Sequence, residues 1–302
     1  MGRRSAPNAS TKNLLLFYQS YYISRFLHAA AIWAPVDASS TVMKKLETTF
    51  LRGLRTVAGV HKCLDHDGIR WELGVMSLVG YFQTHRLNWF NRLLNMPDSS
   101  LTKMVLIHSV EEESLWTTQT WNLVEMSNLT LFVDGDMSKT LIKNAILVLE
   151  QSNGLTTIQA ASKLRYGYCL RKPLLPIPEY LALPYQRPVK SFLMELRMDS
   201  SPLLRVESGR YENLDPHDRI CTLCRLEMDD TKHCLSKCAT LQSNRDTLIH
   251  KWNNLPQQSH RILNDEDFLD RVLHVIPPPP ALITAWIKLN ELFLKSILRA
   301  KR

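Results

Sequence analysis

The sequence predicts a mainly α-helical protein: a helical bundle, then a small module built around cysteine and histidine with a short β hairpin, then C-terminal helices. Three observations carry this. Only 10 of the 302 residues are glycine, and apolar residues recur at intervals of three and four through the first half, the spacing of one helix face. Pro173, Pro176, Pro178, Pro184 and Pro188 then break the pattern, because proline lacks a backbone N–H and restricts the residue before it. Beyond them, Cys221, Cys224, His233 and Cys238 follow one another with two, eight and four residues between. The expected organisation is a bundle over 1–171, an extended connector over 172–188, and the cysteine-bearing module with flanking helices over 189–302.

The first apolar stretch, Leu14 to Val36, contains Gln19, Arg25 and His28 and lacks an unbroken run of about 20 apolar residues, so no membrane span is expected there. Ser39 or Ser40 is placed to cap a helix whose Met43, Leu46, Phe50, Leu54 and Val57 form one stripe, with Gly59 placed to end it. Lys44, Lys45, Arg52 and Arg55 share a sector of roughly 100° on its other side. Such a face can track phosphates or be a solvated outer surface. Ser77 opens a second helix through Phe82, His85, Trp89, Phe90 and Leu93, an aromatic stripe expected in the core, and Pro97 stops it. Further helices are expected at Leu101–His108, Ser114–Met126, Met137–Gln151 and Leu155–Cys169. Asp65-His66-Asp67 reads as a polar loop with Asp67 as an N-cap, and Asp134-Gly-Asp136 as a turn.

After the connector, Val189–Met198 reads as a helix, and Leu203–Val206 with a turn at Gly209 as a short strand or hairpin. A helix through Leu241, Leu248 and Trp252 follows Cys238. Pro277 to Pro280 open a last helix at Ala281, with Leu282, Trp286, Leu289, Phe293 and Ile297 as its buried stripe and Lys295, Arg299, Lys301 and Arg302 at its end.

Charge is unevenly placed. The formal net charge is +8, with eight basic residues against two acidic through Val60, but three basic against eight acidic from Met96 to Ala160. The two ends are therefore the surfaces suited to a polyanion such as RNA or DNA. Four of the six cysteines lie between Cys221 and Cys238, leaving Cys63 and Cys169 isolated, which is metal-site clustering and not a disulfide framework. A reducing, nuclear or cytoplasmic location follows. Three thiolates and an imidazole at this spacing suit a tetrahedral structural Zn2+ site, with Cys234 a packed thiol beside it. With all four positions filled by protein, such a site organises a fold and offers no place for an activated water. Arg210, Arg219, Arg225, Lys232 and Lys237 surround it in sequence and are candidate phosphate contacts.

No catalytic pattern accompanies the site. The adjacent carboxylates Asp229 and Asp230 lie inside the metal loop rather than at a hydrophobic strand pair, and no Walker-type loop, G-x-S-x-G or H-E-x-x-H occurs. The run Leu203-Leu-Arg-Val-Glu-Ser-Gly-Arg210, then Asp218-Arg-Ile-Cys221-Thr-Leu-Cys224, Asp229-Asp-Thr-Lys-His233-Cys-Leu-Ser-Lys-Cys238 and Arg245, resembles the C-terminal region of reverse transcriptases from non-LTR, LINE-type retrotransposons. Upstream, Leu14 to Trp33, the helix with Leu46 and Leu54, Trp71-Glu-Leu-Gly74 and Arg86 look like the helical thumb and linker of the same family. The resemblance implies a segment that follows the polymerase palm, without its carboxylates and without endonuclease motifs. It implies a thumb-like bundle and a CCHC zinc knuckle that bind RNA or DNA without catalysis, alone or beside a full-length reverse transcriptase in trans. The alternatives are a helical protein-interaction scaffold docking through the acidic middle, or a decayed retroelement reading frame without selected function.

Overall fold

Helix formation follows the capping residues and apolar stripes closely. The structure, a computed structural model, describes residues 10–35, 39–62, 64, 66–130, 137–160, 178–255 and 261–301. Among them the chain forms α1 (Thr11–Phe17), α2 (Ser24–Phe26), α3 (Ala30–Trp33), α4 (Thr41–Ala58), α5 (His66–Leu73), α6 (Leu78–Leu94) and α7 (Leu101–Glu111). These are followed by α8 (Leu115–Met126), α9 (Lys139–Ala160), α10 (Arg187–Arg197), α11 (Arg205–Tyr211), α12 (Gln242–Asn253), α13 (Asp265–Val272) and α14 (Ile283–Ala300). A π-helix, Tyr18–Ile23, joins α1 to α2. The mainly α expectation holds, and no described helix is long and apolar enough to cross a membrane. Cys63, Cys169, Asp65 and Asp134-Gly-Asp136 lie outside the described residues, as do 161–177, which include the end of the expected helix at Leu155–Cys169 and the start of the proline segment.

The chain divides into two compact units that do not follow linear order. One comprises Leu15–Leu54 and Val75–Thr157, the other Met1–Leu14, Arg55–Gly74 and Ile158–Arg302.

In the first unit, Met43, Phe50 and Leu54 of α4 are buried as the stripe requires, and Lys44, Lys45 and Arg52 are exposed. Ser77 caps α6 by accepting from the Gly80 N–H at 2.8 Å. Two carboxylates reinforce that end, Glu150 accepting from Ser77 N at 3.1 Å and Glu47 from Leu78 N at 3.1 Å, where the helix dipole favours negative charge. The buried stripe of α6 runs through Phe82, Arg86, Phe90 and Leu93, while His85 and Trp89 sit at its half-buried edge. Arg86 is satisfied inside, donating to Ala34 O at 2.9 Å and Gln119 Oε1 at 3.2 Å. The two helices expected at Met137–Gln151 and Leu155–Cys169 begin instead as one, α9. Ser152-Asn153-Gly154, the gap between the two expected helices, lies inside α9, because a glycine in a helix interior costs only about 1 kcal/mol, too little to end it.

In the second unit α10 is the central element, buried from Val189 through Arg197. Three charged side chains point inward from it, and each has partners, as burial demands. Lys190 Nζ donates to Leu181 O and Leu183 O at 2.9 and 2.8 Å. Arg197 pairs with Glu72 of α5 at 2.5 Å, and Tyr180 donates to the same carboxylate at 2.5 Å. Arg187 and Ser191 satisfy the last carbonyls of α4, Thr56 O at 2.9 Å and Ala58 O at 3.0 Å, which draws Arg55–Gly74 into this unit although sequence order places it with the bundle. The described part of the proline segment is no extended linker. Tyr180, Leu181 and Tyr185 are buried, because proline fixes φ without preventing neighbouring apolar side chains from packing.

Glu195 accepts from His61 N at 3.2 Å and from Ser201 Oγ at 3.0 Å, yet burial pushes its carboxyl up to about 7. A carboxyl that holds its proton longer folded than unfolded stabilises fully below about pH 4.5 and loses that contribution as pH rises to 7. Glu195→Gln keeps an acceptor and a donor for both partners without a charge. We expect it to raise stability by about 3 kcal/mol at pH 8 and by little at pH 4.5. Urea denaturation at the two pH values checks this, and an equal gain at both is the contrary outcome.

Candidate metal centre

The four ligand positions come from two local structures. In the first, Ile220 and Met228 form an isolated antiparallel bridge, flanked by hydrogen bonds from Cys221 N to Glu227 O at 2.8 Å and Asp229 N to Arg219 O at 2.9 Å. The chain reverses between them, Arg225 N donating to Cys221 O at 2.9 Å with Arg225 at φ 59°. This tight turn brings Cys221 and Cys224 together. In the second, Asp230 Oδ1 accepts from His233 N at 2.7 Å and starts a helical turn, which widens into a π turn over His233–Lys237 closed by Cys238 N to His233 O at 2.7 Å. Five residues of an α-helix advance about 500°, leaving side chains roughly 140° apart. The i→i+5 bond of the π turn returns Cys238 to the face of His233, which makes the four-residue gap workable.

The ligand atoms of Cys221, Cys224, His233 and Cys238 lie within 4.8 Å of one another. Cys221 Sγ is 3.9 Å from Cys238 Sγ, and Cys224 Sγ is 3.2 Å from His233 Nε2. Metal–sulfur bonds of about 2.3 Å in a tetrahedron give ligand–ligand edges of about 3.8 Å, so the cluster has the dimensions to hold a metal ion. With Nε2 turned inward, His233 Nδ1 faces Glu227 Oε2 at 3.4 Å, the carboxylate partner that orients a ligating imidazole. Lys237 Nζ stands 3.9 Å from the same oxygen. Burial pushes the Cys221 thiol up to about 11. At Cys224 burial acts in the same direction but is outweighed by the N–H groups of Leu226 and Glu227 and by the Cys221 and Cys238 thiols, which lower it. A cation entering such a site displaces thiol protons, so its affinity falls as pH falls. Cys234 is buried beside the cluster but does not belong to it.

The hairpin expected at Leu203–Val206 is absent: Arg205–Tyr211 is α11. Its free N-terminal N–H groups are claimed by the loop that carries the cluster, Arg205 N donating to Asp229 Oδ2 at 3.0 Å and Val206 N to Asp229 O at 3.1 Å. Gly209 makes no turn. It lies inside α11, where a Cβ would come 2.8 Å from Arg219 Cγ, so glycine is there to let that side chain lie against the helix.

Of the candidate phosphate contacts, Arg219 donates to Leu214 O at 2.9 Å and Val206 O at 3.3 Å, and Arg210 pairs with Glu207 at 3.1 Å. Arg55 donates to Leu64 O at 2.9 Å. These three serve the fold. Arg225 and Lys237 are exposed and Lys232 half-buried, all on the segment between Cys221 and Cys238. Arg245 is buried and donates to Leu235 O at 3.3 Å, bracing the π turn from α12. Sequence reading missed Glu227 and Lys301. Lys301 Nζ reaches Asp229 Oδ1 and Oδ2 at 2.5 and 2.6 Å and Cys221 Sγ at 3.6 Å. Glu227 had a signal, a carboxylate within the loop, whereas Lys301 had none, lying 80 residues from Cys221.

Comparison with known protein families, with curated proteins and with solved structures found no match.

Proposed function

We propose that this protein is a non-catalytic zinc- and nucleic-acid-binding segment, the counterpart of the thumb and CCHC knuckle of a non-LTR retroelement reverse transcriptase. The observation that carries the reading is the convergence of Cys221, Cys224, His233 and Cys238 on one point. Three thiolates with one imidazole select zinc among common ions, and a fully protein-ligated ion is structural. Arg225, Lys232 and Lys237 lie on the loop that the ion orders, where phosphates of RNA or DNA can reach them. Assistance in trans to a full-length reverse transcriptase fits the same surface.

Native mass spectrometry is expected to give one zinc per chain. Fluorescence anisotropy with RNA and DNA oligonucleotides is expected to show affinity falling steeply between low and physiological salt, by roughly tenfold or more for several phosphate contacts. The second reading, a helical protein-interaction scaffold, draws on α7, where Leu101, Met104, Val105 and Ile107 are exposed beside Glu111. Oligonucleotide binding absent at low salt would turn the choice to the scaffold.

A further inference from the structure

We propose that an exposed aromatic ladder on the π-helix Tyr18–Ile23 and the last turn of α1 is a second binding site, a platform for single-stranded nucleic acid. It rests on the preceding reading, whose thumb-like part includes Leu14 to Trp33, and names the strand type and the residues that would bind it there.

Four rings and a guanidinium form the ladder. Phe17 stacks on Tyr21 with centroids 5.5 Å apart and planes at 15°, and Tyr18 on Tyr22 at 5.3 Å and 21°. Tyr21 meets Tyr22 edge-on at 5.6 Å, and Arg25 Cζ lies 4.3 Å from the centroid of Tyr21, continuing the row Phe17–Tyr21–Arg25. Phe17 is 60% exposed, Tyr21 46% and Tyr22 47%. Rings of this size facing water lose the burial that ordinarily holds them in a fold. A six-residue π-helix is itself unusual, and such widened turns are frequent at functional sites.

The ladder is fixed, not loose. Tyr18 is buried, its hydroxyl donates to Phe50 O at 2.7 Å, and its ring occupies the space above Gly53 where any side chain would collide. The helix that supports it, α4, exposes Lys44, Lys45 and Arg52. Among the described residues of Leu15–Leu54 the one carboxylate is Glu47, and it accepts from Leu78 N at 3.1 Å. Exposed rings with Arg25 stacked at their end meet both demands of a single strand: base faces stack on aromatics, and a phosphate pairs with the guanidinium. A duplex keeps its base faces stacked on each other and gains only the phosphate contacts.

The test uses the full chain with labelled oligouridylate and oligothymidylate, a duplex of equal length, and phosphatidylcholine vesicles containing phosphatidylserine. Phe17→Ala and Tyr21→Ala are each expected to weaken single-strand binding by roughly tenfold, with duplex binding and zinc content unchanged and Tyr21→Phe close to the parent. Tyr22→Ala, removing a ring from the other row, gives an independent loss should either variant fold poorly. The same losses are expected in a Cys221→Ser background, which separates this site from the knuckle. Parent-level single-strand affinity in folded Phe17→Ala, Tyr21→Ala and Tyr22→Ala variants overturns the proposal. So does a ladder whose loss abolishes vesicle binding and leaves oligonucleotide binding intact.

Discussion

Replacing Cys221 with serine, or stripping the proposed zinc with a chelator, is expected to unfold the segment from Arg219 to Leu241 while the helices of the Leu15–Leu54 and Val75–Thr157 unit persist. The segment contains one isolated bridge, a single π turn and two short helical turns, so little repetitive hydrogen bonding holds it. What remains is two buried thiols, one half-buried thiol and an imidazole that converge, an arrangement that the proposed ion would hold together. Loss of several kcal/mol from a unit of this size lowers Tm by about 10 °C or more. Hydrogen exchange should report the loss first at the amides of Cys221, Asp229 and Cys238, which are hydrogen-bonded within the loop. Cys234→Ala is the matched control, because that thiol is buried but stands outside the cluster. It should keep one metal per chain. Full amide protection after chelation, or metal loss in Cys234→Ala, would overturn the assignment.

The convergence of Cys221, Cys224, His233 and Cys238 was legible because it depends on residue type and spacing, both written in the sequence. The helices were legible for a related reason: Ser77, Ser100 and Ser114 each cap the helix that follows, and the Met43–Phe50–Leu54 stripe points inward as its period demands. Misreadings arose where tertiary contacts outweigh local preference. Leu203–Arg210 looks like strand and turn, but Asp229 supplies the acceptors that a helix start needs, and Gly209 admits Arg219 instead of reversing the chain. Tyr180, Leu181 and Tyr185 sit among prolines and still enter the core, since three apolar side chains gain more from burial than an extended path offers. Arg219 and Arg210 read as surface cations, yet backbone carbonyls and Glu207 take up their donors. The Glu207–Arg210 pair is an i,i+3 contact that follows once α11 is a helix, whereas the reach of Arg219 to Val206 O, and of Lys301 to Asp229, follows no spacing rule.

Lys301 is the clearest of these partners, and Lys301→Met is expected to cost about 3–5 kcal/mol. Its Nζ and the Asp229 carboxylate are nearly inaccessible, with side-chain exposures of 1% and 0%. Burial works against the ammonium, but hydrogen bonding and charge attraction from Asp229 outweigh it, and the lysine stays protonated. The pair ties the end of α14 to the metal loop, because Asp229 also receives Arg205 N and Lys301 Nζ also points at Cys221 Sγ, 3.6 Å away. Removing the ammonium strands a buried carboxylate beside the buried Cys221, so the loss exceeds the worth of the contact itself. Asp229→Asn combined with Lys301→Met removes both charges and should recover part of the stability, a coupling that a double-mutant cycle measures directly. The proposed zinc supplies a second readout. A cation beside Cys221 offsets the negative charge that three thiolates bring to one ion, so Lys301→Met should release zinc to a chelator faster than the parent, and Lys301→Arg should lie between them. Additive losses in the cycle with unchanged zinc release would reduce Lys301 to a packed aliphatic chain.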